Sequence, residues 1–362
     1  MYRLAALILS ISLLLVSCQS PSERLDNTGG NSSVTTIADT TEVITTERNT
    51  TTEEVTTEAE TTENVTTESV TTDIETTAPD DFPPEIAQSD ISDAMLGLYA
   101  QNAFVYNSTD DVLLGIKGEG INIIPASITK LLTALYALQA VPEDLVITAT
   151  SDALSLVGKN SSIAYIKKDF RLSVSQLIQG MMMPSGNDAA YVLAAGVGRY
   201  ISNDQSMSAT DAVDLFMSNL NSYAKSIGCT GTHYSVPDGL ARENHYTSTH
   251  DLIIVGKLAS EHPLISKYAN TVSEKVYYKS GQNITWNNSN YLINPNSEYY
   301  SPYVNGLKTG SLSGNNCIYV SAVINDKTYL IGIFGCSEKN DRYDDAHLLI
   351  NAILESTKEA GG

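Results

Sequence analysis

The segment Pro125-Ala126-Ser127-Ile128-Thr129-Lys130 places a serine and a lysine three positions apart at the start of a predicted helix. Downstream apolar residues recur at intervals of three and four (Ile128, Leu131, Leu132, Leu135, Leu138), which predicts a helix with one buried face. Residues at i and i+3 share a helix face, so Lys130 is expected beside the Ser127 hydroxyl. Because no carboxylate is close in sequence, a buried lysine here is readily neutralised and becomes a candidate base. A plain N-cap role for Ser127 is the competing interpretation.

A second segment, Pro184-Ser185-Gly186-Asn187, is predicted to join two helices. Ser173-Val174-Ser175-Gln176 has the form of a capping box, and the helix it starts should end at Met183, before the proline. A new helix is expected from near Asn187 toward Gly196. Gly186 would allow a tight backbone in the loop between them, although on this segment alone a plain helix-capping turn is the favoured interpretation.

A third segment, Gly306-Leu307-Lys308-Thr309-Gly310, precedes the strongest β signal in the chain. The runs Cys317–Ile324 and Thr328–Phe334 are rich in valine, isoleucine and tyrosine, which predicts a hairpin. The strand that carries Lys308 should lie beside this hairpin at the sheet edge. A glycine within a strand often marks close approach of a ligand or of another backbone, which makes Gly310 a candidate binding position.

Other elements complete the expected domain. Leu98–Tyr106 and Val112–Ile116 flank a turn and predict a hairpin, and Asp211–Ile227 predicts a packing helix that stops at Gly228. A last helix, about Asp344 to Leu354, should cover the sheet.

The cysteines and histidines argue against a metal site. Cys229, Cys317 and Cys336 form an odd set in the predicted domain, which leaves at least one free thiol. Cys317 and Cys336 are equidistant from Asp326-Lys327 and are expected to face each other across a hairpin as a wide pair, which disfavours a disulfide. No metal-ligand spacing occurs, and the five histidines are scattered, so neither a metal nor another cofactor is expected.

The N-terminal quarter of the chain predicts export and a tether. Residues 1–17 have the order of an export signal, and Leu15-Val16-Ser17-Cys18 resembles the lipobox of bacterial lipoproteins, with Cys18 as the lipidated residue. Residues 18–90 carry a five-residue Thr-Thr-Glu rhythm that suits neither a helix face nor a strand face, so disorder is expected. Between residues 19 and 90 there are 17 acidic and 2 basic residues, so 15 of the 21 net negative charges belong to this tether. The acidic balance therefore does not describe a binding face, and no nucleic-acid partner is expected.

The three segments occur in one order with Leu177–Ala190, Val236–Leu240 and Ser248–Leu252, and together they resemble a known family. From about Ala94 to Leu354 the chain is similar to the low-molecular-mass penicillin-binding D-alanyl-D-alanine carboxypeptidases. The resemblance implies an α+β fold (an α/β sandwich) like that of serine β-lactamases and transpeptidases, with an antiparallel sheet flanked by helices and an all-helical subdomain. It implies a catalytic domain over residues 91–362.

The resemblance also implies roles for the reacting residues. Ser127 would attack the carbonyl between two D-alanines of a peptidoglycan stem peptide, with Lys130 as the base. Ser185 and Asn187 would lie near the lysine and pass a proton to the leaving amine. Water would then release the acyl-enzyme, and β-lactam antibiotics would inhibit the enzyme.

The remaining implied roles concern substrate binding. Lys308 would supply positive charge, and Thr309 would help to orient the substrate carboxylate beside Gly310. The backbone N–H groups of Ser127 and Ser311 would form an oxyanion hole. Arg342 is either a second carboxylate contact or a surface arginine at a helix start.

Many members of this family carry a C-terminal domain with a membrane helix, whereas this chain stops after the covering helix. The N-terminal lipid and acidic tether are expected to replace that anchor and to hold the protein on the outer face of the bacterial membrane, facing the cell wall.

Three rival functions remain at this point. A β-lactamase shares the fold but usually has Ser-Asp-Asn where this chain has Ser185-Gly186-Asn187, and no Glu-containing deacylation loop is recognisable. A non-catalytic penicillin-sensing lipoprotein would not need all catalytic positions filled. A DD-endopeptidase acting on cross-linked peptidoglycan differs only in what lies beyond the scissile bond.

Overall fold

The computed structural model describes residues 91–118, 120–240 and 243–359. The predicted signal segment, Cys18 and the acidic tether lie outside the described residues. Within those ranges the chain forms a five-stranded antiparallel sheet of order β2-β1-β9-β8-β7. Its strands are β1 (Asn102–Asn107), β2 (Val112–Lys117), β7 (Val304–Leu312), β8 (Asn315–Ile324) and β9 (Lys327–Cys336). Two small antiparallel pairs accompany it, β3 (Val146–Thr148) with β4 (Arg171–Ser173) and β5 (Ser273–Tyr277) with β6 (Asn283–Asn287).

Helices cover both faces of the sheet. The helices of the described ranges are α1 (Ile91–Leu96), α2 (Thr129–Ala140), α3 (Ser151–Ser155), α4 (Val174–Met182), α5 (Asn187–Ile201), α6 (Ala209–Ser226), α7 (Thr249–Glu261), α8 (Pro263–Ala269) and α9 (Asp341–Glu359). One core lies between the sheet and α1 with α9, and a larger core joins the opposite face to the remaining helices. None of the helices in the described ranges is long and apolar enough to span a bilayer.

This architecture confirms the expected α+β sandwich with a helical subdomain. The predicted N-terminal hairpin is β1 and β2, although its first strand begins at Asn102 rather than at Leu98. The predicted packing helix is α6, which ends before Gly228, where φ is +93°. The covering helix is α9, and it runs five residues further than Leu354.

The β8–β9 hairpin corrects one sequence prediction. Its two-residue loop is Asn325-Asp326, with φ of +50° and +61°, and Ile324 pairs with Lys327. Positive φ at both central residues is typical of the type I′ turns that match strand twist. Further along, a bulge between Asn316 and Ile318 places Cys336 opposite Asn316.

The two cysteines therefore do not face each other as predicted. Cys317 lies in the core shared with the helical subdomain, and Cys336 lies in the core under α9. Both thiols are free and buried. A register change of one residue moves a side chain to the opposite face of the sheet, which is why the expected pairing is wrong.

Candidate active site

Ser127 lies in a single 3-10 turn, Ala126–Ile128, immediately before α2. Ala126 has φ of +49°, a left-handed conformation that costs energy for a residue with a side chain. The N-cap of α2 is Ile128, and the Ser127 hydroxyl caps neither helix. The capping interpretation of Ser127 is therefore wrong, because the strained turn moves its half-buried side chain away from the helix end.

Lys130 is fully buried and is held by three oxygen atoms. Its Nζ lies 2.8 Å from the Ser127 Oγ, 2.8 Å from the Asn187 Oδ1 and 2.8 Å from the Asp238 carbonyl oxygen. The last two atoms can only accept, so they fix two N–H directions and leave the third direction of the nitrogen at the serine hydroxyl. Burial lowers the pKa of Lys130 from 10.5 to about 8, while the negative charges of Asp238 and Asp188 act in the opposite direction. A neutral lysine in this place has its lone pair available to the serine hydroxyl, 2.8 Å away.

The loop between α4 and α5 brings in two more predicted residues. α4 begins with the expected capping box at Ser173 and ends at Met182, and α5 begins at Asn187. Ser185 adopts φ of +61°, whereas Gly186 has an ordinary φ of −62°. Glycine is needed there for space, because a β-carbon would lie 2.6 Å from the Ala164 β-carbon. The loop backbone is tight, but the left-handed residue is the serine.

Lys308 reaches this loop from the edge strand β7. Its Nζ donates to the Ser185 Oγ at 2.8 Å and to the Thr309 carbonyl at 2.9 Å. The side chain is 1% exposed, and burial together with the positive charges of Lys130 and Arg342 holds its pKa well below the usual value. The Thr309 hydroxyl is 2.7 Å from the Ser289 hydroxyl. Two serine–lysine contacts thus lie within one buried site.

The next residues of β7 contact the turn of Ser127. A β-carbon at Gly310 would lie 2.9 Å from the Ala126 β-carbon and 3.1 Å from the Ser127 nitrogen. Only a glycine allows the strand to approach this closely, which fits the predicted close approach of another backbone.

Arg342 lies inside the first turn of α9 and is 2% exposed, so the surface interpretation is wrong. Its Nη1 donates to the Gly310 carbonyl at 2.8 Å and to the Ser311 Oγ at 2.9 Å. Nη2 donates to the Tyr343 hydroxyl at 3.1 Å. The guanidinium therefore holds the end of β7, and its contact with a substrate carboxylate stays a prediction.

An open cleft of about 370 Å³ leads to Ser127. Its lining residues come from the turn before α2, the loop before β4, the start of α5, the loop after α6 and the end of β7 (Ser127, Lys159, Asn160, Ser161, Ser162, Asn187, Asp238, Gly239, Leu240, Ser311, Leu312, Ser313). Of the predicted site residues, Ser127, Asn187 and Ser311 line the cleft. The other four are buried and do not line it (Lys130, Ser185, Lys308 and Thr309). No histidine of the described residues lines this cleft.

Several contributors were not assigned a role from the sequence. The Asp238 carbonyl holds Lys130, and Gly239, with φ of +81°, has no room for a β-carbon, which would lie 1.8 Å from the Ala126 carbonyl oxygen. Asp188 accepts from the Ala164 and Ile166 N–H groups and so fixes the loop that forms one cleft wall. The segment Val236–Leu240 was recognisable as part of the family pattern, but a backbone contact leaves no signal in residue type.

Behind the nucleophile, His245 is neutral and structural. Its Nε2 is 2.9 Å from the Thr129 hydroxyl, and its Nδ1 accepts from the Ser235 N–H at 3.1 Å. Burial lowers the pKa of His245 to about 4. A hydroxyl paired with a buried lysine of lowered pKa is an arrangement for nucleophilic catalysis that needs no histidine.

Comparison with known proteins agrees with this geometry. A family model described as D-alanyl-D-alanine carboxypeptidase matches residues 93–336. Two curated relatives carry the same name. DacF of Bacillus subtilis (strain 168) is 25% identical over 249 residues, which cover 67% of this chain and 59% of DacF. The enzyme of Streptomyces sp. (strain K15) is 30% identical over 270 residues, which cover 71% of this chain and 86% of that protein.

Among solved structures, the Streptomyces K15 DD-transpeptidase has the same fold, with a TM-score of 0.62 at 24% identity over 70% of this chain and 97% of that one. The chain belongs to the D-alanyl-D-alanine carboxypeptidase family. It spans about three-fifths of the length of the Bacillus relative.

Proposed function

We propose that the protein is a serine-type D-alanyl-D-alanine carboxypeptidase that removes the terminal D-alanine from peptidoglycan stem pentapeptides. One observation carries the proposal: the Lys130 Nζ lies 2.8 Å from the Ser127 Oγ in a fully buried setting that lowers the lysine pKa to about 8. At pH 7 about one lysine in ten is then neutral, against about one in 3,000 at the usual pKa. The site therefore raises the population of the free base by about two and a half orders of magnitude.

In the proposed reaction Ser127 is the nucleophile and Lys130 is the general base. The Ser127 Oγ forms a bond to the carbonyl carbon between the two D-alanines, while its proton passes to the Lys130 Nζ. The carbonyl oxygen becomes an oxyanion, for which the N–H groups of Ser127 and Ser311 are the proposed donors. Such a donor contributes about 3–4 kcal/mol in other hydrolases.

Collapse of this intermediate breaks the C–N bond and releases D-alanine. The leaving amine takes up the proton that Lys130 received from Ser127. The proposed route for this proton runs through the Ser185 hydroxyl, which accepts a hydrogen bond from Lys308. Asn187 holds the Lys130 amine in line with Ser127 through its Oδ1. A water oxygen then bonds to the acyl-enzyme carbonyl carbon and gives a proton to the neutral Lys130. The ester C–O bond breaks, Lys130 returns the proton to the Ser127 Oγ, and the shortened peptide leaves with a new carboxyl group.

Substrate binding is assigned to the side of the cleft formed by the end of β7. Lys308 and Thr309 are proposed to face the terminal carboxylate, and Gly310 lets this part of the strand lie close to Ser127. Arg342 adds positive charge behind the strand and fixes the Gly310 carbonyl and the Ser311 hydroxyl. A β-lactam presents a strained amide and a carboxylate in a similar relation, so it is expected to acylate Ser127.

The proposal is tested by incubating the protein with a muramyl pentapeptide and, separately, with a cross-linked peptide dimer. Release of free D-alanine from the pentapeptide alone supports the carboxypeptidase. Cleavage of the dimer in preference to the pentapeptide would instead assign a DD-endopeptidase. Ser127→Ala should abolish release, and Ser313→Ala, which alters an exposed serine at the cleft rim, serves as the matched control.

We also propose that the protein is lipid-anchored through Cys18 and faces the cell wall. The support is the Leu15-Val16-Ser17-Cys18 pattern and the acidic segment that follows it, both outside the described residues. Incorporation of a labelled fatty acid by the wild type, and its loss in Cys18→Ala, is the corresponding test. Labelling that persists in Cys18→Ala would contradict the proposal.

A further inference from the structure

Asp238 is a buried acid next to the buried Lys130, and the proposed reaction leaves its carboxylate without a role. The residue is 1% exposed. Its Oδ1 accepts from the Leu240 N–H at 3.1 Å, whereas its Oδ2 has no hydrogen-bond partner in residues 91–118, 120–240 and 243–359. Within the same residues no cation forms a salt bridge with it. A buried carboxylate of this kind is costly unless a nearby positive charge compensates it.

The backbone of Asp238 is fixed against the reacting pair. Its carbonyl oxygen lies 2.8 Å from the Lys130 Nζ and 3.4 Å from the Ser127 Oγ. The following Gly239 is pressed against the Ala126 carbonyl so closely that a β-carbon would lie 1.8 Å from it. The loop therefore cannot shift without moving the turn of Ser127, and the backbone of Asp238 stays in place beside Lys130.

Asp238 differs from the other charged groups around Lys130 because one of its carboxylate oxygens has no hydrogen-bond partner among the described residues. Lys308 reaches the site from β7 and carries the same sign of charge. Asp188 on α5 uses its Oδ1 for the Ala164 and Ala189 N–H groups and its Oδ2 for the Ile166 N–H. Asn187, on the same helix, is neutral. Asp238 is the first of the charges that favour the protonated form of Lys130, ahead of Asp188.

We propose that Asp238 is the counter-charge of Lys130 and that its carboxylate sets the pH at which Lys130 becomes a free base. Asp238 is then a positioning residue that acts through Lys130, and it holds part of the Lys130 population protonated at neutral pH. This inference rests on the proposed function. Removing the carboxylate should therefore make the enzyme faster, not slower, in mildly acidic solution.

The test is the pH profile of acylation by a fluorescent penicillin in the wild type and in Asp238→Asn. Asparagine keeps the backbone carbonyl and an acceptor for the Leu240 N–H but removes the charge. An opposite charge within about 4–6 Å typically moves a pKa by one to three units, so the acid limb should move down by about one pH unit. The rate at pH 6 should then rise about 10-fold, with an unchanged plateau above the limb. Glu243→Gln, at an exposed carboxylate of the same loop, should leave the limb in place.

Each other outcome has a separate meaning. Wild-type protein that is not acylated at any pH contradicts the proposed function itself, whatever Asp238 does. The inference is overturned if the acylation rates of the wild type and Asp238→Asn fall in acid at the same pH. A uniform loss of rate in Asp238→Asn, with no change in that pH, also overturns it. Slow deacylation with a normal acylation profile also overturns it, because it would place Asp238 with the hydrolytic water. Should the asparagine variant fail to fold, Asp238→Ser offers the Leu240 N–H a hydroxyl acceptor and removes the same charge.

Discussion

Replacing Lys130 with methionine separates the chemical role of this side chain from its structural cost. Methionine has a similar length and no charge, so it fills the buried space but cannot accept the Ser127 proton. General base catalysis contributes about 10²- to 10⁴-fold, and the acylation rate of Lys130→Met should fall by this amount or more. Because lysine supplies the proposed base, the loss should be seen with both the pentapeptide and a penicillin.

The stability of the same variant can be worked out from the site. Lowering the pKa of Lys130 from 10.5 to about 8 means that burying the protonated amine costs about 3 kcal/mol at pH 7. Methionine removes that cost but leaves the Asn187 Oδ1 and the Asp238 carbonyl without a donor, at about 1–3 kcal/mol each. The two effects nearly cancel, so the unfolding free energy at pH 7 should change by less than about 3 kcal/mol.

The stabilities of the wild type and Lys130→Met should depend differently on pH. The folded pKa of Lys130 lies below the unfolded value, so the unfolded state binds more protons between about pH 8 and 10.5. The stability of the wild type should therefore rise with pH through that window by about 3 kcal/mol more than that of Lys130→Met. Loss of Lys130 also removes a positive charge that lowers the Lys308 pKa, and this coupling acts in the same direction.

Denaturant unfolding at pH 7 and pH 10, together with penicillin acylation rates, checks both parts. If the stabilities of the two proteins change equally between pH 7 and pH 10, the folded protein does not lower the pKa of Lys130. An acylation rate within 10-fold of the wild type would refute its role as the base.

Two further substitutions test the second lysine and the approach of β7. Ser185→Ala removes the 2.8 Å acceptor of the Lys308 Nζ and the proposed proton route, so turnover should fall about 100-fold. Because the buried Lys308 loses one partner, the unfolding free energy should also fall by about 1–3 kcal/mol. A folded variant with an unaltered kcat would contradict the relay. Gly310→Ala places a β-carbon 2.9 Å from that of Ala126, so acylation should be lost in a folded protein. Gly314→Ala is the control, because a β-carbon there meets nothing within 4 Å. This variant should remain active, with a modest loss of stability from its φ of +67°. Kinetics and circular dichroism of the two glycine variants distinguish these results, and an active Gly310→Ala would refute the need for close approach.

The sequence predicted the parts of the site that depend on local geometry. Ser127 and Lys130 are three residues apart, and the contact expected from that spacing is present, although it crosses from the 3-10 turn of Ser127 into α2. The capping box at Ser173 and the helix end before Pro184 are equally local, and both are present. The fold class was predicted from the family resemblance.

Contacts that depend on tertiary packing were beyond such reasoning. The Ser185–Lys308 contact joins residues 123 positions apart, and only the family pattern placed them together. The predicted pairing of Cys317 with Cys336 was wrong, because the turn of the hairpin lies one residue earlier than expected and a bulge follows it. Asp238 contributes to the Lys130 site through a carbonyl that every residue type possesses, so its position could be found only in the folded chain.

Peptide mass spectrometry after brief exposure to benzylpenicillin tests whether Ser127 is the nucleophile of an acyl-transfer site. We expect one penicilloyl adduct, on the peptide that contains Ser127, and no adduct in Ser127→Ala. An adduct on any other residue, or labelling that survives Ser127→Ala, would contradict it.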